Sequence, residues 1–580
     1  MKKGEEYEAI VERTDFPNRG VCFIDGKEIM VKNALPGQKI RLRISKKRSG
    51  RVEGRLLEVR ERSLFETEDS GCPAFGSCGS CLYRGFSEQA ELAVKEGQVR
   101  RLLAAACPGD DLSWFEGILA SPLRDEYRNK MEFSFGDAYK GGPLTLGMHC
   151  RGSFYDIVSA EDCRIVDEDI RVILRRVQAF CREGGWPQYR RDHTGFLRNL
   201  LVRKAAATGE ILVGLVTSTQ VPDGWSDEAF LRAVLGAEPS LSENAEFFGR
   251  ITGVIHIWND READVIEDQG CDLLYGRPWI VEEVLGLRFR ITPFSFFQTN
   301  TRGAEVLYSV VRDYVHSARE CDGTAGGPEA GTPEGGSGCA DAAHGEIFDL
   351  YSGTGTIAQI LAPEFDHVTA VEIVPEAVGA AKENAAENGI ENCEFLCGDV
   401  LKVVDELGGA PGVIILDPPR DGVHPKALPK ILAFGARHIV YVSCKPTSLA
   451  RDLPVMIEAG YRPVRGACVD MFPGTGNVET VCLLSKLFEA KNHISVKVDM
   501  EEMDVTAAES KASYQEIQEW VQEKYGFHVS HLNIAKTKRK CGIIERQNYN
   551  LPKSEDSRSP ETPKEKEEAI IEAFKAFQMI

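Results

Sequence analysis

Short apolar runs alternate with amphipathic segments through the C-terminal half of the chain. The apolar runs predict buried strands at residues 347–348, 368–372, 393–396, 413–416 and 438–442. The segment at 357–361 has the pattern of a helix. Strands that alternate with helices predict a doubly wound α/β sheet of the Rossmann type, which binds its ligand at the carboxyl ends of the strands.

A glycine turn follows the first of these strands, where the sequence reads Asp-Leu-Tyr-Ser-Gly-Thr-Gly-Thr from residue 349. Glycines allow the backbone to approach a ligand closely. We expect four residues of this turn at the cofactor: Asp349, Tyr351, Gly353 and Gly355. The next two strands lead to acids, Glu372, suited to ribose hydroxyls, and Asp399, suited to an adenine amino group. This spacing favours S-adenosylmethionine (SAM) over NAD, and the turn is not a P-loop.

Three later segments carry candidates for chemistry. The run at 413–416 leads into Asp417-Pro418-Pro419-Arg420, and the run at 438–442 leads to Cys444. A cysteine at the carboxyl end of a sheet strand is placed for nucleophilic attack, although many free cysteines are only small buried hydrophobes. Glu479 lies in the apolar run of the last predicted strand. Such a carboxylate is paired, functional or turned to solvent, because burying an unpaired charge is costly.

The first 62 residues alternate short strand patterns with glycine turns, as in a small OB-type barrel, a common nucleic-acid platform. The net charge of the chain is −20, yet one stretch of this region is basic. Nine cations fall between residues 39 and 60: Lys39, Arg41, Arg43, Lys46, Lys47, Arg48, Arg51, Arg55 and Arg60. Such a local field binds phosphates despite an acidic remainder; the alternative is a solvated basic face.

Three cysteines, Cys72, Cys78 and Cys81, follow the barrel in a glycine-rich loop. Three close thiols and a distant fourth predict an iron–sulfur or zinc site, and the spacing alone does not decide between them. We expect Cys163 as the fourth ligand, with Cys150 as its rival. The spacing is not that of radical-SAM enzymes, which favours a structural or RNA-positioning role.

The ordered motifs together resemble the SAM-dependent RNA uracil-5-methyltransferases, over most of residues 1–487. The resemblance is carried by residues 294–300, 349–356, 417–420 and 443–452, and by Val478-Glu479. It implies that the barrel is TRAM-like and that the cysteines hold a [4Fe–4S] cluster. Within the family, barrel and cysteines together are most similar to the enzymes that modify 23S ribosomal RNA, with transfer RNA (tRNA) as the runner-up substrate.

The family resemblance also implies roles for individual residues. Cys444 adds to C6 of uracil, and Glu479 later removes the proton from C5. Gln298, Asp349 and Asp417 bind the cofactor; Asp417 also contacts the uracil edge, together with Phe296, which stacks on the base, and Arg420. The chain departs from the family pattern at Lys445, where asparagine is usual, at Gly474 and Asn477, where histidines are expected, and at Ser352, often a cysteine.

The complete prediction is a multidomain protein. Residues 1–62 form the barrel, 63–285 an α+β central domain with the cysteines, 286–487 the methyltransferase domain with a flexible insertion at 317–344, and 488–580 a small helical extension of unassigned role. Seventeen cysteines without a secretory signal predict a cytoplasmic protein, and the lack of a long apolar run predicts no membrane partner. The family resemblance implies RNA, and not DNA, as the partner.

Other functions fit parts of the sequence. RNA cytosine-5 methylation also needs a cysteine that adds to C6. Adenine amino methylation is disfavoured because Arg420 stands where an aromatic side chain would stack. A non-catalytic RNA-binding factor would have no need for Cys444 and Glu479 together.

Overall fold

The computed structural model describes residues 1–48, 51–153, 156–190, 192–236, 248–262, 266, 269–324, 345–409, 411–486, 514–540 and 563–576. The chain divides into two compact units, residues 1–488 and 489–580. Among the described residues, no helix combines the length and the apolar character needed to cross a bilayer.

Five N-terminal strands close into a barrel in the order β1-β2-β3-β5-β4. Their bounds are β1 Glu6–Asp15, β2 Arg19–Ile24, β3 Lys27–Lys32, β4 Lys39–Arg48 and β5 Arg51–Glu61. Strand β4 shows why they form: Ile40, Leu42 and Ile44 are buried, whereas the cations between them face outward. The predicted five-stranded barrel is therefore confirmed.

A seven-stranded sheet forms the central part of the first unit, in the order β13-β12-β11-β10-β7-β8-β9. The strands are β7 Lys130–Asp137, β8 Leu144–His149, β9 Ile157–Ser159, β10 Leu197–Lys204, β11 Glu210–Thr217, β12 Arg250–Trp258 and β13 Cys271–Gly276. Two helices belong to this region, α2 Glu168–Gly184 and α3 Asp227–Leu235. Asp167 and Ser226 cap them by accepting backbone N–H groups.

An eight-stranded sheet carries the predicted Rossmann topology, in the order β18-β17-β16-β19-β20-β22-β21-β6. Its strands are β6 Phe115–Leu119, β16 Glu346–Leu350, β17 His367–Glu372, β18 Cys393–Cys397, β19 Val413–Leu416, β20 His438–Ser443, β21 Tyr461–Val469 and β22 Glu479–Lys486. Strands β16 to β20 are parallel, with Ile347 opposite Val413, and β22 runs antiparallel to β20. The parallel strands place their carboxyl ends at one edge.

Helices cover this sheet, and a hairpin of β14 Ile280–Val284 and β15 Leu287–Ile291 precedes it. The helices are α1 Glu88–Ala106, α4 Thr301–Thr324, α5 Thr356–Leu361, α6 Pro375–Glu387, α7 Val400–Val403, α8 Ala427–Ala433 and α9 Pro446–Glu458. Strand β6 comes from outside residues 286–487 and pairs in parallel with β21. The prediction of a flexible insertion is wrong for residues 317–324, which continue α4; residues 325–344 lie outside the described residues.

The second unit contains three described helices, α10 Tyr514–Tyr525, α11 His531–Lys540 and α12 Lys564–Ala576. Ile517 and Val521 pack with Ile570 and Phe574 in a core of their own. The predicted helical extension is thus present in the described residues.

Candidate active site

A cavity of about 1290 Å³ lies at the carboxyl edge of the parallel strands. Nearly all of the predicted cofactor and substrate residues line it: Phe296, Gln298, Asp349, Tyr351, Gly353, Glu372, Asp399, Asp417, Arg420, Cys444 and Glu479. Gly355 is the exception, because it faces the protein interior. A Cβ atom there would lie 2.5 Å from the Phe395 ring, so this glycine allows close packing behind the turn.

Asp349 lies in strand β16, one residue before its end, and lines the cavity. Its Oδ2 accepts the Ala358 N–H at 3.0 Å, whereas its buried Oδ1 has no hydrogen-bond partner among the described residues. Burial, with the nearby Asp417 carboxylate, raises the pKa of Asp349 to about 7. The next turn residue, Tyr351, has a φ of 70°, in the left-handed region. The turn therefore presents an unsatisfied carboxyl oxygen to a ligand.

Two acids hold the backbone around the turn. Glu372 accepts the N–H groups of Gly353 and Val374, each at 2.9 Å. Asp399 caps α7 by accepting the Leu401 N–H at 3.0 Å. Each carboxylate lines the cavity while it fixes the loop at the end of its own strand.

Cys444, Glu479, Asp417 and Arg420 meet at the other part of the cavity. Burial, with the Glu479 and Asp417 carboxylates, raises the pKa of Cys444 to about 11, and Arg420 opposes this rise. Burial and Asp417 raise the pKa of Glu479 to about 8, again opposed by Arg420. Burial raises the pKa of Asp417 to about 7. The candidate nucleophile and base therefore share one anionic neighbour and one cationic neighbour.

Helix α9 fixes the loop that carries Asp417 and Arg420. Asp452 on α9 accepts hydrogen bonds from the Tyr441 hydroxyl at 2.8 Å and from the Val423 N–H at 3.0 Å. Ser448 donates to the Arg420 carbonyl at 2.6 Å. These polar residues of α9 explain how a loop without regular structure keeps one shape.

The central sheet fixes the loop that carries Phe296 and Gln298. Asn129 donates to the Gln298 carbonyl at 3.0 Å, and the buried Arg203 donates to the carbonyls of Pro293, at 3.2 Å, and Ser295. Phe296 itself is 68% exposed at the cavity. An exposed aromatic ring on an anchored loop is suited to stacking on a base.

Sequence reasoning missed other lining residues, including Tyr308, Phe472 and Asn477. Tyr308 lies on α4, and burial and the Asp417 carboxylate raise its pKa well above the ordinary value. Tyr308 falls at the spacing of the apolar residues on this helix, so the sequence did not distinguish it from a core residue. Asn477 was noted only as a departure from the family pattern.

The predicted metal ligands lie near one another. Burial, with the thiols of Cys163, Cys78 and Cys72, raises the pKa of Cys81 to about 12. Cys150 forms a backbone bridge with Cys78. Among the described residues, no three His, Cys, Asp or Glu side chains lie close enough to hold a metal ion as they stand. The thiols of Cys72, Cys78, Cys81 and Cys163 are therefore neighbours in the fold without the geometry of a metal site.

The cavity suits a positively charged cofactor. Three carboxyl groups with raised pKa, Asp349, Asp417 and Glu479, line it, and Arg420 opposes the rise at Glu479. A sulfonium ion would stabilise their charged forms. The orphan oxygen of Asp349 supplies a further acceptor.

Comparisons with known proteins agree with this geometry. Residues 342–411 match the model of a methyltransferase domain, and residues 401–487 match that of tRNA (uracil-5-)-methyltransferases. An uncharacterised RNA methyltransferase of Clostridium tetani is 42% identical over 83% of this chain and 98% of its own length. One from Caldanaerobacter subterraneus is 41% identical over 84% of this chain and 100% of its own.

A solved structure extends the similarity of fold. The Pyrococcus abyssi tRNA (uracil-54, C5)-methyltransferase, in complex with S-adenosyl-L-homocysteine, superposes with a TM-score of 0.59 at 22% identity. It covers 82% of this chain and 100% of its own. The chain belongs to the family of SAM-dependent RNA (uracil-5-)-methyltransferases.

Proposed function

We propose that the protein methylates C5 of a specific uridine in 23S ribosomal RNA. The observation that carries the reaction is the meeting of Cys444, Glu479, Asp417 and Arg420 in the cavity that also holds the cofactor turn. The choice of ribosomal RNA rests on the family resemblance of the barrel and the cysteines.

Cys444 and Glu479 would act at different steps of the reaction. Cys444 Sγ forms a bond to C6 of uracil, which makes C5 nucleophilic. Bound SAM supplies the methyl group from its sulfonium. Glu479 then takes the proton from C5, the electrons of that C–H bond restore the C5–C6 double bond, and the Cys444–C6 bond breaks. Arg420 favours the thiolate of Cys444 and the carboxylate of Glu479, because it lowers the pKa of both.

The remaining site residues take binding roles in this proposal. Phe296 stacks on the target base, and Asp417 and Arg420 contact its polar edge. The cofactor would be held by the carboxyl and turn residues of the cavity: Gln298, Asp349, Tyr351, Gly353, Glu372, Asp399 and Asp417. Gly355 contributes by allowing the turn to pack closely.

The barrel would bind RNA through one part of its basic stretch. Four cations are already paired with carboxylates: Lys39 with Glu61, Arg41 and Arg43 with Glu6, and Arg60 with Glu58. In the part of the barrel that the structure describes, Lys46, Lys47, Arg51 and Arg55 are exposed and have no ion pair. Lys46, Lys47 and Arg51 lie at the β4–β5 hairpin, which we assign to the phosphate backbone.

A transfer RNA substrate is the second candidate. The P. abyssi tRNA enzyme covers 82% of this chain, whereas residues 286–487 are only about a third of it. The shared fold therefore extends beyond the methyltransferase sheet, and the presence of N-terminal domains does not by itself exclude tRNA.

Cys72, Cys78, Cys81 and Cys163 are the residues that would hold a [4Fe–4S] cluster, with zinc as the alternative. Clustered thiols whose pKa is raised by one another are stabilised when a metal takes their charge. The group would act as a structural crosslink, because the proposed methyl transfer needs no electron.

The test uses anaerobically purified protein, SAM with a labelled methyl group, and ribosomal and transfer RNA that lack 5-methyluridine. We expect 5-methyluridine in 23S RNA only. Cys444→Ala should abolish the product, and Glu479→Gln should accumulate a covalent protein–RNA adduct because methylation precedes elimination. Product in tRNA alone would overturn the ribosomal assignment, and 5-methylcytidine would overturn the choice of base.

A further inference from the structure

Several apolar side chains at the active-site cavity have no part in the proposed reaction. Cys271, Pro278, Trp279 and Phe294 line the cavity but come from segments that precede the nucleotide-binding strands. We call these four residues the mouth rim. Phe294 is 39% exposed and Cys271 is also exposed, so the rim lies where the cavity opens to solvent.

The mouth rim is held in place. Arg203 anchors the peptide groups on both sides of Phe294 through the carbonyls of Pro293 and Ser295. The Trp279 ring lies 5.2 Å from the Arg290 guanidinium and 5.8 Å from that of Arg277. Preformed apolar surfaces lose little entropy when they bind a flat ligand.

The cavity is larger than a pocket for one small ligand. Pockets for one small ligand usually measure about 300–1,000 Å³. This cavity measures about 1290 Å³, and the cofactor turn, Cys444 and the rim all line it. The rim is partly exposed apolar surface that belongs to the same cavity, and such surface commonly marks a binding site.

We propose that the mouth rim binds the nucleobase of a nucleotide adjacent to the target uridine, after that base has unstacked from the RNA strand. The inference rests on the proposed function, because the target base must enter beside Cys444. Continuity with the catalytic cavity favours RNA over a protein partner. The rim offers mainly apolar and aromatic surface, so we expect it to require a base but to tolerate its identity.

The experiment uses short RNAs that span the uridine methylated in the assay above, with an abasic ribose at each flanking position in turn. With wild-type protein, one abasic position should lower kcat/KM for 5-methyluridine formation between about fivefold and about 100-fold. Phe294→Ala and Trp279→Ala should each lower kcat/KM on the intact RNA and lose the sensitivity to that abasic position.

Phe248→Ala is the control, since Phe248 is 87% exposed and does not line the cavity; it should behave as wild type. Dissociation constants for SAM should be the same in all variants. Abasic RNAs methylated as fast as the intact RNA, or variants that retain the abasic sensitivity, would overturn the inference while leaving the proposed function intact. Weakened SAM binding with unchanged sensitivity would instead assign the rim to the cofactor. A lack of 5-methyluridine with every RNA would overturn both.

Discussion

Lys95 Nζ lies 2.7 Å from Asp470 Oδ1, although 375 residues separate the two in sequence. The same ammonium lies 2.7 Å from Glu91 Oε1, and all three side chains are buried. Glu91 also accepts the Gly474 N–H at 2.6 Å, and Lys95 donates to the Phe472 carbonyl at 3.3 Å. Helix α1 therefore fixes the loop that leads to Asn477 and Glu479.

Lys95→Met should destabilise the protein by about 3–5 kcal/mol, because it leaves two buried carboxylates without their shared cation. The variant Lys95→Met/Glu91→Gln/Asp470→Asn should recover much of this loss, since it buries no unpaired charge. Urea unfolding measures both, with Lys382→Met on the exposed side of α6 as the control. If the single and triple variants lost the same free energy of unfolding, the unpaired buried charges would not be the cause of the loss.

Local pattern predicted the strands around the site well, because buried parallel strands are continuous apolar runs with turns and helices between them. Asp349, Asp417 and Cys444 follow from that pattern, since each stands at or just beyond the end of such a run. The burial of Glu479 did not follow, because the first residue of a strand can face either side. Its environment is set by neighbours on other strands.

Long-range pairing was not predictable from local pattern. Strand β6 joins β21 across about 350 residues, and its five residues carry no sign of their partner. The ion cluster of Lys95 is likewise invisible, because charged residues on a helix are usually solvated. The prediction of a flexible stretch from residue 317 failed at its start because α4 continues to Thr324, with Ala318 buried in the core.

The β4–β5 hairpin should carry the RNA affinity of the barrel. Replacing Lys46, Lys47 and Arg51 together by Gln should weaken RNA binding and reduce the slope of log K against log salt by about 2, near 0.7 per phosphate contact for single strands. Replacing Arg41, Arg43 and Arg60 by Gln removes the same charge from cations already paired with carboxylates. Filter binding over a salt series compares the two, and equal effects would show that only net charge matters.

Arg420 should set the pH dependence of the nucleophile. It lowers the pKa of Cys444, which burial and two carboxylates raise to about 11. Arg420→Met should raise this pKa further, so that alkylation of Cys444 by iodoacetamide requires higher pH, whereas Arg420→Lys should restore much of the effect. Mass spectrometry of the Cys444 peptide measures the rate in free protein. If Arg420→Met left the pH dependence of Cys444 alkylation unchanged, Arg420 would have no influence on the Cys444 thiol.

Asp349 should destabilise the free protein as pH rises. Its folded-state pKa is about 7, above the ordinary value, so its contribution to stability is fully present below about pH 4 and is lost as pH rises through about 7. Asp349→Asn should therefore raise Tm relative to wild type more at pH 8 than at pH 5, while weakening SAM binding. Thermal unfolding measures the first effect and calorimetry the second. Asp366→Asn, on an exposed loop, should show neither.

Two thiols, Cys163 and Cys150, are candidates for the fourth metal ligand. Cys163 interacts electrostatically with two of the thiols, Cys72 and Cys78, whereas Cys150 interacts with Cys78 alone of the three and lies beside Asp156. Cys163→Ser should lose the metal, as Cys81→Ser should, and Cys150→Ser should keep it. Iron, sulfide and zinc are measured in anaerobically purified protein. Four irons and four sulfides per chain would support the cluster, and one zinc the alternative. If Cys163→Ser kept the metal and Cys150→Ser lost it, Cys150 rather than Cys163 would be the fourth ligand.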